Sequence, residues 1–160
     1  MKTQFRPPLQ TALLTLVLAI ACSGCFLIPP KHSDYRVIHE YATDGNVAGL
    51  TQDLATYPGD VNLTDDAGRT PLHLAATHCR VEAAKLLLDK GAKVDATTAG
   101  GTTPLDLAAQ AGCVNIVNLL LSKGAKVNAR DDQGLTPLDR AIRWHCDEVV
   151  QLLRAHGGVE

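Results

Sequence analysis

The chain is poor in aromatic residues, which make up 4% of its 160 residues and include a single tryptophan, Trp144. A hydrophobic core must therefore be built from aliphatic side chains. An excess of one charge is also missing, because the formal net charge is −2 at pH 7, and this offers no general attraction for nucleic acid. Hydrophobic residues make up 46% and charged residues 20%, a balance typical of a globular protein rather than a disordered one.

Motifs for catalysis and for phosphate binding are absent. The sequence contains no G-x-S-x-G, no P-loop, no H-E-x-x-H and no G-x-G-x-x-G. His78-Cys79, Cys113 and His145-Cys146 lack the ligand spacing that zinc sites use. We therefore predict no enzyme activity, no cofactor and no metal site.

A hydrophobic run long enough to span a bilayer is also missing. Residues 11–21 (TALLTLVLAIA) form an apolar run of 11 residues, whereas a transmembrane helix needs about 20. Preceded by Lys2 and Arg6, this run is typical of a secretory signal peptide, which we assign to residues 1–21. The next residues, Ala21-Cys22-Ser23-Gly24-Cys25, resemble the lipobox of bacterial lipoproteins, which implies cleavage and lipidation at a cysteine.

Two cysteines fit that role. Cys22 is preferred because Ala19, Ile20 and Ala21 precede it, and Cys25 is the alternative; a plain cleaved signal is the third possibility. The resemblance implies a lipid-anchored protein of the bacterial cell envelope. Ser23 rather than aspartate after Cys22 favours the outer membrane, facing the periplasm. Residues 22–33, which contain Pro29-Pro30, are predicted to be a tether.

The rest of the chain is dominated by an internal repeat. The tripeptide Thr-Pro-Leu begins at Thr70, Thr103 and Thr136, which are 33 residues apart, and Leu-rich, Gly-Ala and Val-Asn/Asp-Ala segments recur in phase with it. This pattern, over about two thirds of the chain, resembles the ankyrin repeat. The resemblance implies an all-α solenoid in residues 34–160, with about four helix-turn-helix units joined by short finger turns, near residues 34–64, 65–97, 98–130 and 131–160.

Each recurring residue suits a position in such a unit. The threonines are predicted to cap the first helix of a unit, with the prolines at its first turn. The resemblance implies that His73 hydrogen-bonds near its cap threonine and ties neighbouring units together. Gly91, Gly124 and Gly157 are predicted to end the second helices in a left-handed conformation. The first unit is degenerate, with Val37-Ile38-His39 at the expected place of the signature.

Three further cysteines would enter an oxidising compartment after export. Cys113 and Cys146 occupy equivalent places in adjacent units, which stack at about 10 Å, too far apart for the Cα separation of a disulfide. Cys79 is offset by one position, so we predict a Cys79–Cys113 disulfide. The alternative is that all three are small buried residues near the turn between two helices.

Ankyrin-like stacks bind proteins along their concave face and finger tips, so the resemblance implies an interaction module, predicted here as a monomer with an unknown protein partner. Trp144 is either a binding hot spot or a cover for the open end of the stack. The functional alternatives are a structural envelope lipoprotein without a groove partner and a metal-handling protein. The predicted partner-binding residues are Asp65, Asp66, Arg69, Thr98, Gln110, Arg130, Asp131, Asp132, Arg143 and Trp144.

Overall fold

The computed structural model describes residues 36–160, and in this range eight α-helices alternate between two rows without any strand. The two cysteines proposed for lipidation and the proposed tether lie outside the described residues. A short 3₁₀-helix, Pro58–Asn62, follows the second α-helix. The first-row helices are α1 Arg36–Asp44, α3 Pro71–Thr77, α5 Pro104–Gln110 and α7 Pro137–Arg143. The second-row helices are α2 Val47–Thr56, α4 Val81–Asp89, α6 Val114–Ser122 and α8 Asp147–Ala155.

The Thr-Pro-Leu signature starts three of the first-row helices, as predicted. Thr103 has extended backbone angles and its Oγ1 accepts a hydrogen bond from Asp106 N, while Thr103 N donates to Asp106 Oδ2 at 2.7 Å. Thr136 and Asp139 make the same reciprocal pair before α7. These capping boxes satisfy backbone groups that the helix itself cannot pair, and each proline occupies a place where no backbone donor is needed.

Small residues bring the first-row helices close together. Ala75, Ala76, Ala108 and Ala109 are fully buried, and neighbouring first-row helices contact each other more extensively than neighbouring second-row helices do. Larger aliphatic residues fill the space between the rows. Each such side chain contributes about 1.5–3 kcal/mol by leaving water. The largest fully buried aliphatic residues in the described part of the chain are Ile38, Leu50, Leu72, Leu87, Leu105, Ile116, Val117, Leu120, Leu138, Val149 and Leu153.

Three finger turns, residues 65–69, 98–102 and 131–135, precede α3, α5 and α7. In each finger the first residue accepts two backbone hydrogen bonds across the turn: Asp65 Oδ1 from Ala67 and Arg69, Thr98 Oγ1 from Gly100 and Thr102, and Asp131 Oδ1 from Gln133 and Leu135. Neighbouring fingers are joined through Ala99 N to Ala67 O and Asp132 N to Gly100 O. The fingers therefore form a continuous row.

His73 has the structural role that its position predicts. Its Nδ1 lies 2.9 Å from Thr70 Oγ1 and accepts from Thr70 N, so the proton is placed on Nε2, which donates to Thr102 O in the next finger at 3.1 Å. The prediction that this histidine links two units is confirmed. Burial lowers the pKa of His73, and hydrogen bonding to Thr102 only partly opposes that effect.

The first unit has a counterpart of His73, but the predicted alignment of Val37-Ile38-His39 with Thr-Pro-Leu was wrong by one residue. His39 Nε2 lies 2.9 Å from Arg69 O, the contact that His73 makes one unit later. Thr43 Oγ1 donates to His39 O as Thr77 Oγ1 donates to His73 O. His39 is therefore the counterpart of His73, and the counterpart of Thr-Pro-Leu starts at Arg36, one residue before Val37.

The predicted left-handed glycines are also confirmed, with φ angles of 94°, 85° and 83° at Gly91, Gly124 and Gly157. The described residues, 36–160, belong to one compact unit. Among the described helices, none has the length and apolar character needed to cross a bilayer.

Candidate partner-binding groove

A groove separates the first-row helices from the fingers. Its open part is a cavity of about 380 Å³ between α1 and the first finger. Helix α1 contributes His39, Glu40 and Thr43 to the lining, and α3 contributes Leu74. The finger contributes Asp65, Asp66, Ala67 and Arg69.

The repeat extends this wall along the stack. Glu40 and Thr43 lie three residues apart on α1, so they share one helix face. The positions equivalent to Glu40 in the later units are held by Leu74, Leu107 and Arg140, and those equivalent to Thr43 by Thr77, Gln110 and Arg143. We call these eight residues the groove positions.

Arg140 joins the helices to the fingers at the far end of the groove. Its guanidinium donates to Gln110 Oε1 at 2.9 Å, to Thr102 Oγ1 at 3.2 Å and to Asp131 Oδ2 at 2.5 Å. One side chain thus joins α7 to α5 and to the second and third fingers. Its Nε lies 3.8 Å from Asp106 Oδ1, and both atoms are buried without a hydrogen-bond partner in the described part of the chain.

The two carboxylates near Arg140 respond differently to their surroundings. Burial raises the pKa of Asp106, and the hydrogen bonds from Thr103 and the charge of Arg140 only partly oppose it. Burial would also raise the pKa of Asp131, but hydrogen bonds from Leu135 N, Arg140 and Gln133 N together hold that pKa below its ordinary value. Asp131 therefore remains a charged anchor for Arg140 at neutral pH.

Asp131 was wrongly predicted to face a partner. Its side chain is only 2% exposed because it caps the third finger and binds Arg140. Asp65 has the equivalent position in the first finger. Its two carboxylate oxygens bind Ala67 N, Arg69 N and the Arg69 guanidinium, and its side chain is 12% exposed. Hydrogen bonding and the charge of Arg69 outweigh burial and lower the pKa of Asp65.

The other predicted contact residues are accessible to different extents. Thr98 and Gln110 are half-buried, and Gln110 is engaged by Arg140. Arg130 is exposed directly before the third finger, where it donates to Gly134 O at 2.6 Å. The exposed residues of the set are Asp66, Arg69, Arg130, Asp132, Arg143 and Trp144.

Trp144 lies immediately beyond the groove positions. It is the C-cap of α7 and is 56% exposed. Its counterpart Asp44 lines a cavity beside the turn between two helices, so Trp144 sits at the turn end of the wall rather than beside the fingers. The residue at the open end of the stack is instead Ile142, whose counterparts Ala76 and Ala109 are fully buried by a following unit.

A disulfide joins Cys79 to Cys113, with 5.4 Å between their Cα atoms. Cys79 has φ 55° in the turn after α3, the conformation that Gly112 adopts one unit later, and Cys113 is the N-cap of α6. Cys146, the N-cap of α8, is a half-buried free thiol. Sequence reasoning placed Cys79 one position away from Cys113 but did not reveal that this position requires a left-handed backbone.

Metal ligands do not assemble in the described residues. No group of three or more histidine, cysteine, aspartate or glutamate side chains there could hold an ion. The geometry of the described residues is that of a binding surface with rigid walls, a polar cavity at one end and an exposed arginine and tryptophan at the other.

Comparison with curated proteins finds relatives that share the repeat. A channel protein of Caenorhabditis elegans, the transient receptor potential cation channel subfamily A member 1 homolog, is 45% identical over 56 residues, or 35% of this chain and 5% of the channel. The palmitoyltransferase akr1 of Neurospora crassa is 34% identical over 90 residues, or 56% of this chain and 12% of the enzyme. Human protein phosphatase 1 regulatory subunit 27 is 36% identical over 65 residues, covering 41% of this chain and 42% of the subunit.

The chain thus spans less than half the length of each of these relatives, and the match to the palmitoyltransferase is confined to a small part of that enzyme. Ankyrin repeats are protein–protein interaction modules and are typically not enzymes. A family model of ankyrin repeats in three copies matches residues 38–131, which is more than half of the chain. The protein belongs to the ankyrin-repeat family.

Proposed function

We propose that this protein is a lipid-anchored component of the bacterial envelope that binds a protein partner through the groove and the finger tips. The observation that carries the proposal is the exposed pair Arg143 and Trp144 at the end of the groove wall. Tryptophan and arginine are the residue types that most often dominate binding energy at interfaces. In a chain with one tryptophan, leaving more than half of it in water favours a role in contact with another molecule.

Rigid walls support the same proposal. The fingers are fixed by hydrogen bonds to Asp65, Thr98 and Asp131, and Arg140 ties the last finger to two first-row helices. A surface that is already ordered loses little conformational freedom on binding, so more of the contact energy appears as affinity.

The envelope location rests on the N-terminal sequence alone. The short apolar run, the preceding Lys2 and Arg6 and the cysteine pair support export and lipidation at Cys22, with Cys25 as the alternative. Several acyl chains on one residue would give stable anchoring, whereas a single chain would not. We assign the anchored protein to the outer membrane, facing the periplasm.

A capture experiment tests the binding role. The full-length protein, extracted in detergent, is immobilised and exposed to envelope extract, in parallel with an Arg143→Glu/Trp144→Ala variant and a control variant, Lys90→Glu/Val159→Ala. The control makes the same kinds of change at exposed residues away from the groove positions. We expect a protein that is retained by the parent and the control and lost by the groove variant. Equal retention by all three would favour the alternative, a structural lipoprotein without a groove partner.

A further inference from the structure

The groove positions change in character along the stack. From the first unit to the last they read Glu, Leu, Leu, Arg at one position and Thr, Thr, Gln, Arg at the other, that is Glu40, Leu74, Leu107, Arg140 and Thr43, Thr77, Gln110, Arg143. The wall is therefore acidic at one end, partly apolar in the middle and basic at the other end.

The acidic end is open to a partner. Glu40 is exposed at the edge of the 380 Å³ cavity, and Asp44 is exposed one turn later on the same helix. Neither carboxylate forms an ion pair with any of residues 37–160, whose side chains the structure describes. Asp66, on the facing finger, adds a third exposed carboxylate to the lining.

The basic end presents one accessible charge. Arg140 is held by Asp131 and Gln110 and is largely buried, whereas Arg143 is exposed and makes no ion pair with a described residue. Trp144 provides an apolar surface beside it. Between the two ends, Leu74 and the half-buried Leu107 give the groove an apolar floor.

Building on the proposed function, we propose that the groove binds an extended segment of a partner protein in one fixed direction, with a lysine or arginine in the cavity near Glu40, apolar residues over Leu74 and Leu107, and an acidic residue at Arg143. An extended segment lets one short stretch of chain follow the row of groove positions from unit to unit, with side chains directed towards the groove at every second residue. Packed helices lie about 8–10 Å apart, so three steps from the first unit to the fourth cover about 24–30 Å. An extended chain covers that distance in about eight residues.

Selection from a library of random twelve-residue peptides displayed on phage tests this. The target is the full-length protein. The affinity of each selected peptide is then measured by fluorescence anisotropy for the parent protein and for the Glu40→Lys and Arg143→Glu variants. Glu148→Lys and Lys90→Glu are the controls, because they reverse the charge of exposed residues in or next to the second-row helices. We expect peptides with a basic and an acidic residue about eight positions apart, always in the same order. Each groove reversal should weaken binding several-fold, up to about fivefold for one exposed charge pair, and reversing the matching peptide charge should restore it.

Two negative results are distinguishable. Peptides that lose binding to the groove variants but show no constant order of charge would overturn the directional proposal and leave the binding role intact. If every selected peptide binds the groove variants and the parent equally, both the directional proposal and the proposed function fail.

Discussion

Gly112 and Cys146 are related to each other as Cys79 is to Cys113, one unit later in the stack. A Cβ atom placed on Gly112 would lie 3.2 Å from Cys146 Sγ and 3.8 Å from Cys146 Cβ. The second distance is typical of the two Cβ atoms of a disulfide. The stack thus has one inter-unit disulfide, and at the equivalent place one unit later Cys146 faces a glycine instead of a second cysteine.

Gly112→Cys is expected to complete the second disulfide. The strain of a side chain at φ 70° costs about 1–2 kcal/mol, and Cys79 shows that a cysteine can adopt this conformation in the same turn. Closing a loop of this size stabilises by about 2–4 kcal/mol, so a net gain is expected in urea denaturation. Gly112→Ser is the control, with the strain and no bond. Alkylation of Cys146 in the oxidised variant, shown by peptide mapping, would contradict the prediction.

Reduction should weaken the parent through the Cys79–Cys113 bond. We expect the free energy of unfolding to fall by about 2–4 kcal/mol in reductant. The stability of a Cys79→Gly variant should not respond to reductant at this site, because the variant cannot form the bond. The variant should also be more stable than the reduced parent, since glycine adopts φ 55° without strain. Urea denaturation of both proteins with and without reductant measures this. A reduced parent that is more stable than the Cys79→Gly variant would contradict this prediction, because it would show that Cys79 is unstrained when reduced.

His73 should make stability fall in mild acid. Its folded pKa is lowered by burial, so the unfolded chain binds the proton more readily. The contribution of His73 is complete above its unfolded pKa, about 6.5, and is lost as pH falls from there towards the lower folded value. His73→Asn, whose side chain does not titrate and can still accept a hydrogen bond from Thr70 N, should remove this part of the slope. The difference between the urea midpoints of parent and variant, measured at pH 7.5, 6.0 and 5.0, isolates the contribution of His73. Midpoints that fall in parallel for the two proteins would contradict this prediction.

Arg140 should be coupled to Asp131. Removing one partner of a buried ion pair costs about 3–5 kcal/mol, so Arg140→Leu should strongly destabilise the protein. The double variant Asp131→Thr/Arg140→Leu recreates the pair Thr98 and Leu107 of the preceding unit and should recover part of the loss. A double-mutant cycle in urea should give a coupling above about 1 kcal/mol. Additive effects of the two substitutions would show that the contact contributes nothing specific.

The repeat could be predicted from sequence because each unit restates the same local chemistry. Thr70, Thr103 and Thr136 act as caps, and His73 links two units, for reasons that concern only a few neighbouring residues. The same logic identifies His39, because His39 and Thr43 lie 34 residues before His73 and Thr77 and make matching hydrogen bonds.

The groove could not be predicted to the same depth. Asp65 and Asp66 are adjacent and identical, yet one caps the finger and the other is exposed, which depends on the path of the turn. Arg140 occupies a leucine position, and its partners Thr102, Gln110 and Asp131 come from separate parts of the chain. Only their arrangement in space shows that Arg140 ties the last finger to the first-row helices and that Asp131 is unavailable to a partner.

The anchor proposal has its own test in the mass of the mature N-terminus. We expect the first residue to be Cys22 carrying acyl chains, and we expect Cys22→Ser to release the protein from the membrane fraction. A lipidated Cys25 would select the alternative cysteine. An unacylated terminus would contradict lipid anchoring and leave the binding groove unaffected.

Site-specific photocrosslinking in living cells is the most direct test of whether a partner binds in the groove. A photoreactive amino acid is placed at Arg143 in one strain and at Lys90, an exposed residue beside the second-row helices, in another. We expect one discrete crosslinked protein from position 143 and none from position 90. The same crosslinked protein from both positions, or from position 90 alone, would contradict binding in the groove.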